Sequence, residues 1–454
     1  MTHRGSRVLH VGSLSRVEGE GALHLSVSGT AVTSARLQIY EPPRFFEAFL
    51  RGRAHTEPPD ITARVCGICP VAYQLSACAA IEDACDVEVP DPIRELRRLL
   101  YCGEWIESQT LHIYLLHAPD FLGRDGAIDL ARTHRADVER GLRLKQAGNA
   151  ILELLGGRAI HPVNVRVGGF HRAPTRAELQ PLAEQLRRAM DDALATVHWA
   201  AGFEFPDAHC PYDLLALSEP GRYAIDTGTP TVLTEQSDAV RQFALTDFTD
   251  EVVEEQVPHS TALHATLRGR RHLTGSLARF AINRRSLSPI ALQAATEAGL
   301  SGECRNPFRS ILVRAVEVVY AVDEALRVIA AYEPPARPFV EVPPRAGVGH
   351  GATEAPRGLL YHRYALAADG TVTDARLVPP TAQNQGAIEE DLRRIAETAL
   401  AGRATAGVGG AADTGTVDDA ALTLLCERAI RNHDPCISCS THFLDLTVDR
   451  APLP

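Results

Sequence analysis

The sequence predicts an α-rich α+β fold, with a long helical core and smaller β-hairpin or sheet parts. A hydrophobic fraction of 45% and a charged fraction of 23% over 454 residues are typical of a globular protein. Runs rich in β-branched residues, broken at Ser28-Gly29 and Asp369-Gly370, predict two hairpins, 22–40 and 359–377. Apolar residues recur at helical spacing in several long segments. These segments are 91–116, 129–155, 175–203 and 308–331.

Local signals place the elements of the N-terminal half in order. A short helix over 44–52 follows the first hairpin and ends at Gly52, and a second helix covers 71–84. Asp91-Pro92 is a good helix start, with an N-cap residue followed by proline at the first helical position. The long helix that begins there should end near residue 116.

The C-terminal half alternates between mixed and helical segments. Residues 205–285 are interrupted by proline and glycine and predict loops and short strands. Helix 308–331 ends at Pro334-Pro335, and Ile388 to Ala399 mark another helix. Thr416 with Asp419 resembles a capping box that opens a last helix, while 401–415 has the composition of a surface linker.

Charge and hydropathy exclude several classes of function. A net charge of −11 argues against a nucleic-acid-binding surface. No run of about 18 apolar residues is present, so no membrane span is expected. The first residues lack the apolar stretch of a signal peptide. A cytoplasmic protein is therefore expected, unless a partner carries the chain across a membrane.

Four of the ten cysteines form two C-x-x-C motifs at opposite ends of the chain, Cys66/Cys69 and Cys436/Cys439. Thiolates at this spacing can reach one metal ion, and the spacing alone allows structural zinc, a redox dithiol or a soft transition-metal centre. Joining the two ends of a large fold suits a catalytic metal better than a local structural clip. The other six cysteines are scattered singly and are expected to be inert core residues. They are Cys78, Cys85, Cys102, Cys210, Cys304 and Cys426.

The motifs around these cysteines resemble the paired signature of nickel–iron hydrogenase large subunits. RxCGxC lies near the N-terminus and DPCxxCxxH near the C-terminus, and four further segments extend the resemblance over essentially the whole chain. These are SRVEG (15–19), HPxNxRVGG (161–169), EAPRG (354–358) and VPPTAQN (378–384). The forms RVCGICPVAYQ, NPFRS and VPPTAQN are most similar to the cytoplasmic NAD(P)-linked subgroup. The resemblance implies the large-subunit fold and the reversible cleavage of H2 to protons and electrons.

The resemblance also implies a ligand set. Cys66 and Cys436 would be terminal nickel ligands, and Cys69 and Cys439 would bridge nickel to an iron that carries carbon monoxide and cyanide. Arg357 would sit beside the open metal position and compensate the buried negative charge.

Further residues would complete this centre. Thr381, with the backbone around Pro380, would hold a cyanide, and Arg64 would offset charge or form an ion pair elsewhere. Cys436 would receive the proton from H2 and Glu18 would relay it. Tyr73 stands where many relatives have histidine, which leaves the role of that histidine in doubt here.

By the same resemblance, Glu47 and His442 would bind magnesium or iron near the C-terminus. Residues 443–454 would be a tail that a nickel-dependent maturation protease removes. The core, 1–442, would then comprise a hairpin with a short helix (22–60), helical segments (62–205 and 286–335) and mixed segments (205–285 and 355–442).

Electrons would need partners to leave the site. No further cluster motif is apparent, so a small iron–sulfur subunit is expected, and diaphorase-type subunits would bind flavin and NAD(P). The glycine-rich stretch 407–412 lacks the context of a dinucleotide-binding motif and is interpreted as linker. Two alternatives remain: a metal-free structural relative in a respiratory complex, which would generally lack the cysteine pairs, and a zinc-stabilised binding protein.

Overall fold

The computed structural model describes residues 6–235, 240–406 and 418–441. Its strands are β1 (Ser6–Val11), β2 (Gly21–Ser28), β3 (Ala31–Ile39), β4 (Val165–Arg166), β5 (Gly169–Phe170), β6 (Asp213–Ser218), β7 (Thr229–Leu233), β8 (Val240–Gln242), β9 (Val252–Gln256), β10 (Leu263–Leu267), β11 (His272–Leu273), β12 (Gly347–Ala355), β13 (Gly358–Leu366) and β14 (Val372–Val378).

The helices are α1 (Phe46–Leu50), α2 (Pro58–Thr62), α3 (Pro70–Ala84), α4 (Asp91–Leu111), α5 (Ala118–Phe121), α6 (Ala127–Thr133), α7 (Arg135–Gly156), α8 (Arg176–Ala201), α9 (Phe248–Glu251), α10 (Ser276–Asn283), α11 (Pro289–Glu297), α12 (Ser310–Ala331), α13 (Pro380–Ala406), α14 (Asp419–Asn432) and α15 (Ile437–Ser440). Helix thus predominates over several small sheets, and the α-rich α+β prediction is confirmed. None of these helices combines the length and the apolar composition that a bilayer crossing requires.

Helices α4, α7, α8 and α12 pack together as the centre of the molecule. Helix α12 is buried on nearly every side, from Ser310 to Val328. Apolar residues that recur every 3.6 positions form one face of a helix, and packing that face against neighbouring helices stabilises it. The largest hydrophobic cluster includes both C-x-x-C pairs, so the site lies within this core.

The predicted long helix of 91–116 changes type before its end. The α-helix stops at Leu111, and a π-helical segment continues from His112 to His117. Here His112 Nε2 lies 2.8 Å from the Arg431 carbonyl oxygen, so a contact distant in sequence accompanies the wider turn. The predicted helix 129–155 is also interrupted, at His134.

Both predicted hairpins form, and each gains a strand that was not predicted. Strand β1 pairs with β2, and β12 pairs with β13, both antiparallel. In β12, Gly349 and Gly351 face α3; a Cβ on Gly351 would lie 2.6 Å from the Ala80 nitrogen. This close approach holds the helix that begins after Cys69 against the hairpin that carries EAPRG.

Three other local predictions were incomplete. The mixed segment 205–285 contains a regular helix, α10, as well as its short strands. Helix α13 continues to Ala406, so residues 401–406 of the predicted linker are helical, and 407–417 lies outside the described residues. Helix α14 is capped by Asp418, whose side chain accepts a bond from the Ala420 nitrogen, and Thr416 lies outside the described residues.

Candidate metal centre

The fold brings the sulfurs of the two C-x-x-C motifs into one buried cluster. The Sγ atoms of Cys66 and Cys436 are 3.4 Å apart, and those of Cys69 and Cys439 are 3.5 Å apart. All four sulfurs lie within 4.8 Å of one another, and none belongs to a disulfide. Thiolates so close together in a water-poor interior repel one another, so a cation between them would relieve a large electrostatic cost.

Each cysteine is placed by the end of an element. Cys69 precedes α3 and Cys436 precedes α15, so both stand at helix N-termini. The Cys436 nitrogen donates to Thr381 Oγ1 at 3.0 Å, which fixes the C-terminal pair against the first turn of α13. Thr381 and Pro380 therefore lie in the first turn of a helix.

The thiols differ in their electrostatic surroundings. Burial raises the pKa of Cys436, and hydrogen bonds with the neighbouring sulfurs act in the same direction. Hydrogen bonds from Cys436, Cys439 and Cys69 lower the pKa of Cys66. The cluster therefore stabilises one thiolate readily. Ionisation of all four thiols requires positive charge from a metal ion or a nearby basic side chain.

Arg357 supplies positive charge beside the cluster. The residue is 2% exposed, its Nη2 lies 3.1 Å from Asp434 Oδ1 and its Nη1 donates to Ser108 Oγ at 3.3 Å. Although burial disfavours the cation, Asp434 and the cysteine sulfurs raise the pKa of Arg357, so the guanidinium stays charged. Its Nε has no hydrogen-bond partner among the described residues. A buried donor without a partner beside four sulfurs is suited to an anionic ligand.

Glu18 reaches the same cluster from the N-terminal segment. It pairs with Cys436 in a short parallel bridge, in which its carbonyl accepts from the Ile437 nitrogen at 3.0 Å. Its Oε2 accepts from the Ser438 nitrogen at 3.1 Å. Burial and the charge of Cys66 raise the pKa of Glu18, as is useful in a group that must take up and release a proton.

Glu47 lies in a segment that packs in space against Thr441, the last described residue of the chain. Its buried carboxylate accepts from the Leu377 nitrogen at 2.7 Å. The adjacent Arg44 nitrogen donates to the Thr441 oxygen at 2.8 Å, so this segment lies against the residue that precedes His442. His442 itself, and the tail 443–454, lie outside the described residues.

Arg64 and Tyr73, which flank the first cysteine pair in sequence, differ in their burial. Arg64 is exposed, and its role in offsetting the charge of the cluster stays a prediction. Tyr73 is buried, and burial, the charges of the neighbouring cysteines and a hydrogen bond with Cys439 raise the pKa of its hydroxyl.

Comparison with known proteins decides the family. A family model described as nickel-dependent hydrogenase matches residues 44–147 and 316–442, which include both cysteine pairs. Sulfhydrogenase 1 subunit alpha of Pyrococcus furiosus is 33% identical over 95% of this chain and 97% of its own length. The chain belongs to the nickel-dependent hydrogenase family.

Two further relatives support the same assignment for this hydrogenase large subunit. NAD-reducing hydrogenase HoxS subunit beta of Cupriavidus necator is 27% identical over 97% of this chain and 95% of its own length. The solved structure of an NAD+-reducing [NiFe]-hydrogenase in the H2-reduced state superposes with a TM-score of 0.84 at 25% identity, covering 96% of this chain and 99% of that one. The chain is thus the catalytic large subunit of an enzyme that oxidises or produces H2.

The residues of this hydrogenase fit the metal that the family implies. Four buried sulfurs are a soft donor set suited to nickel and iron, although sulfurs alone would also suit zinc. The unpartnered Nε donor of Arg357 beside them goes beyond what a closed zinc site needs.

Three contributors to the site were missed from the sequence. Asp434 holds Arg357, and its position two residues before Cys436 was the available signal. Gly19 has φ +88°, and a Cβ there would lie 2.6 Å from Ile437 Cβ, so only glycine lets Glu18 approach α15. Ser438, which holds the Glu18 carboxylate, lies inside the second C-x-x-C motif.

Proposed function

We propose that this large subunit passes electrons from H2 to a partner small iron–sulfur subunit and then to NAD(P) through flavin-containing diaphorase-type subunits. NAD is the electron acceptor of two of the similar proteins, at 27% and 25% identity. Within the described residues, the only all-cysteine group that could hold a metal is the active-site cluster, so this part of the chain offers no second cysteine cluster for electron transfer. We place the complex in the cytoplasm, where NAD(P) is available.

The cluster is proposed to hold a nickel–iron centre with carbon monoxide and cyanide on the iron. Cys66 and Cys436 would bind nickel alone, and Cys69 and Cys439 would bind both metals. When bound, this centre supplies the heterolytic cleavage of H2. The charged guanidinium of Arg357 would lie beside this centre and donate hydrogen bonds to it. Thr381 and the backbone at Pro380 would hold a cyanide.

The chain's own groups would carry the proton away. Cys436 Sγ would take the proton first and the carboxylate of Glu18 would receive it next, because the Glu18 side chain is hydrogen-bonded to the Cys436 side chain. The Ser438 hydroxyl donates to Glu41 Oε2 at 3.0 Å, and Glu41 is half-buried. These contacts would continue the route from the core toward solvent.

A second metal site is proposed where the C-terminus meets α1. Glu47 and His442 would bind magnesium or iron there, with Glu47 supplying the hard oxygen ligand that magnesium prefers. The burial of Glu47 and the packing of its segment against Thr441 support this site.

The convergence of four buried sulfurs with Arg357 and Glu18 is the observation that carries this proposal. Infrared spectra of the matured complex should contain carbon monoxide and cyanide bands, and the protein should contain nickel and iron. Metal-loaded, matured protein without these bands would refute the proposed centre.

The electron acceptor needs a separate measurement on the complete complex. We expect H2-dependent reduction of NAD+ or NADP+ as well as of a viologen dye. Viologen reduction without reduction of either nucleotide would retain the hydrogenase and overturn the proposed acceptor.

A further inference from the structure

A second group of metal-type ligands lies apart from the cysteine cluster and shares no residue with it. We call His259, His264 and Glu389 the His–His–Glu cluster. His259 follows β9, His264 lies in β10, and Glu389 lies in α13. One ligand atom from each lies within 4.8 Å of the others.

The three members already contact one another through His259. His259 Nε2 lies 2.7 Å from Glu389 Oε1, and the rings of His259 and His264 meet edge to face with centroids 5.5 Å apart. The same carboxylate oxygen accepts from the Leu37 nitrogen at 3.0 Å. Glu389 is thereby held from β3 while it faces the two imidazoles.

His264 is the unusual member of the cluster. The residue is 7% exposed, and its buried Nε2 has no hydrogen-bond partner among the described residues. Buried polar nitrogens are nearly always paired, so this orphan needs an explanation. His259 and Arg271 both lie within electrostatic range of this ring.

The nearby positive charge is compensated. Arg271 Nη1 lies 2.6 Å from Glu390 Oε2, so its guanidinium is neutralised by a carboxylate next to the cluster. Ligands about 2.0–2.2 Å from a shared ion stand roughly 3.4 Å apart, so small side-chain rotations would close the site.

We propose that the His–His–Glu cluster binds one divalent transition-metal ion, Zn²⁺ by preference, with water in the fourth position. Two imidazoles and one carboxylate are a typical zinc ligand set with one open position. The ion would join the β9–β10 hairpin and β3 to α13. The first turn of α13 carries Thr381, so this ion would brace the helix on which the cysteine cluster depends.

Metal binding by the matured holoenzyme tests this proposal. After dialysis against a mild chelator, titration with Zn²⁺ should add one equivalent per chain without loss of nickel or iron. A His259→Gln/His264→Gln double variant should bind this equivalent at least tenfold more weakly. A matched pair is available in His10 and His24, whose rings lie 4.1 Å apart, and His10→Gln/His24→Gln should bind as wild type. Equal binding by all three proteins would overturn the site.

X-ray absorption at the zinc edge of the wild-type protein keeps the test independent of how the variants fold. A first shell of nitrogen and oxygen only is expected for the His–His–Glu cluster. Sulfur ligands would assign the zinc to the cysteine cluster and overturn the proposal, as would the absence of any added equivalent.

Discussion

Two charged residues at the cysteine cluster have different tasks because of how they are held. Arg357 is locked by Asp434 and Ser108 on both sides of its guanidinium, so it behaves as a fixed charge. Glu18 is held through Ser438 and the bridge to Cys436, and its pKa is raised by burial, so it can change protonation state.

Glu18→Gln should therefore stop proton traffic while preserving the site. The amide oxygen can still accept from the Ser438 nitrogen, but it cannot carry a proton at neutral pH. We expect the rate at which the enzyme exchanges isotope between hydrogen gas and water to fall by about 10²-fold or more. Metal content and infrared bands should be unchanged. Glu20→Gln, at an exposed position two residues away, is the control. Normal exchange in Glu18→Gln would reject the relay.

Arg357→Lys should keep a positive charge but lose the planar fork. We expect the rate of H2 oxidation to fall by about 10²-fold, since a single buried donor at a reacting centre has an effect of that size. Arg363→Lys is a matched control on β13, because Arg363 pairs with the partly exposed Asp374 at 2.8 Å. Equal rates for both variants would show that the fork is not needed.

At the scale of elements, two of the contacts that fasten the N-terminal segment to the C-terminal helices lie close to the site. The first is the contact of Gly19 with Ile437, and the second is a buried ion-pair network around Asp120. Asp120 Oδ1 lies 2.6 Å from Arg16 Nη2, and its Oδ2 lies 2.7 Å from Arg431 Nε.

Gly19→Ala should separate Glu18 from Cys436. The new Cβ would lie 2.6 Å from Ile437 Cβ, and we expect the free energy of unfolding to fall by about 1–3 kcal/mol beyond the backbone strain. Gly52→Ala isolates that strain, since Gly52 has φ +82° and a Cβ there would meet no described atom within 4 Å. Denaturant titration of both variants measures the difference. Equal losses would contradict a steric role for Gly19.

The Asp120 network should make stability depend on pH. Although burial opposes ionisation, the bonds and charges of Arg431 and Arg16 lower the pKa of Asp120 below its value of about 3.9 in an unfolded chain. The carboxylate therefore stabilises the fold fully above that pH and progressively less as the pH falls below it.

Asp120→Asn should cost about 3–5 kcal/mol at pH 7, because two buried arginines lose their carboxylate. The difference from wild type should shrink when unfolding is measured below pH 4. Asp125→Asn, at an exposed position, should leave stability unchanged. A difference for Asp120→Asn that does not vary with pH would exclude the ion pairs as its cause.

On the scale of the whole molecule, two kinds of feature could be predicted from the sequence: long helices with a periodic apolar pattern, and the cysteine motifs. Helices such as α8 and α12 were located to within about two residues because their apolar periodicity is long. The convergence of the C-x-x-C pairs was inferred from residue type and family resemblance. Strand β12 was missed because Gly347, Gly349 and Gly351 have poor β propensity, and only their packing on α3 makes a strand there.

The remaining site features depend on contacts that no local pattern encodes. The π-helical segment at His112 accompanies a bond to the Arg431 oxygen, which is 319 residues away. Asp434 adopts φ +50°, a left-handed conformation that aspartate adopts more readily than most residues, and thereby stands where it can hold Arg357. Such features follow from tertiary structure and could be predicted only once the fold was known.

Maturation of the whole chain gives one further prediction. If residues 443–454 are a cleavable tail, the intact mass of nickel-loaded holoprotein should be lower than that of nickel-free precursor by the mass of these residues. Protein produced without nickel should retain the full 454-residue mass. A nickel-loaded, active enzyme of full mass would disprove processing.

The burial of every cysteine has a practical consequence for attaching this enzyme to an electrode or a dye. All ten thiols lie in the described residues and are buried, so maleimide reagents should find no native thiol on the folded surface. A cysteine introduced at Ile128, which is 80% exposed, would then be a unique attachment point. The protein could be coupled to an electrode or a dye in one defined orientation without altering the cysteines of its core.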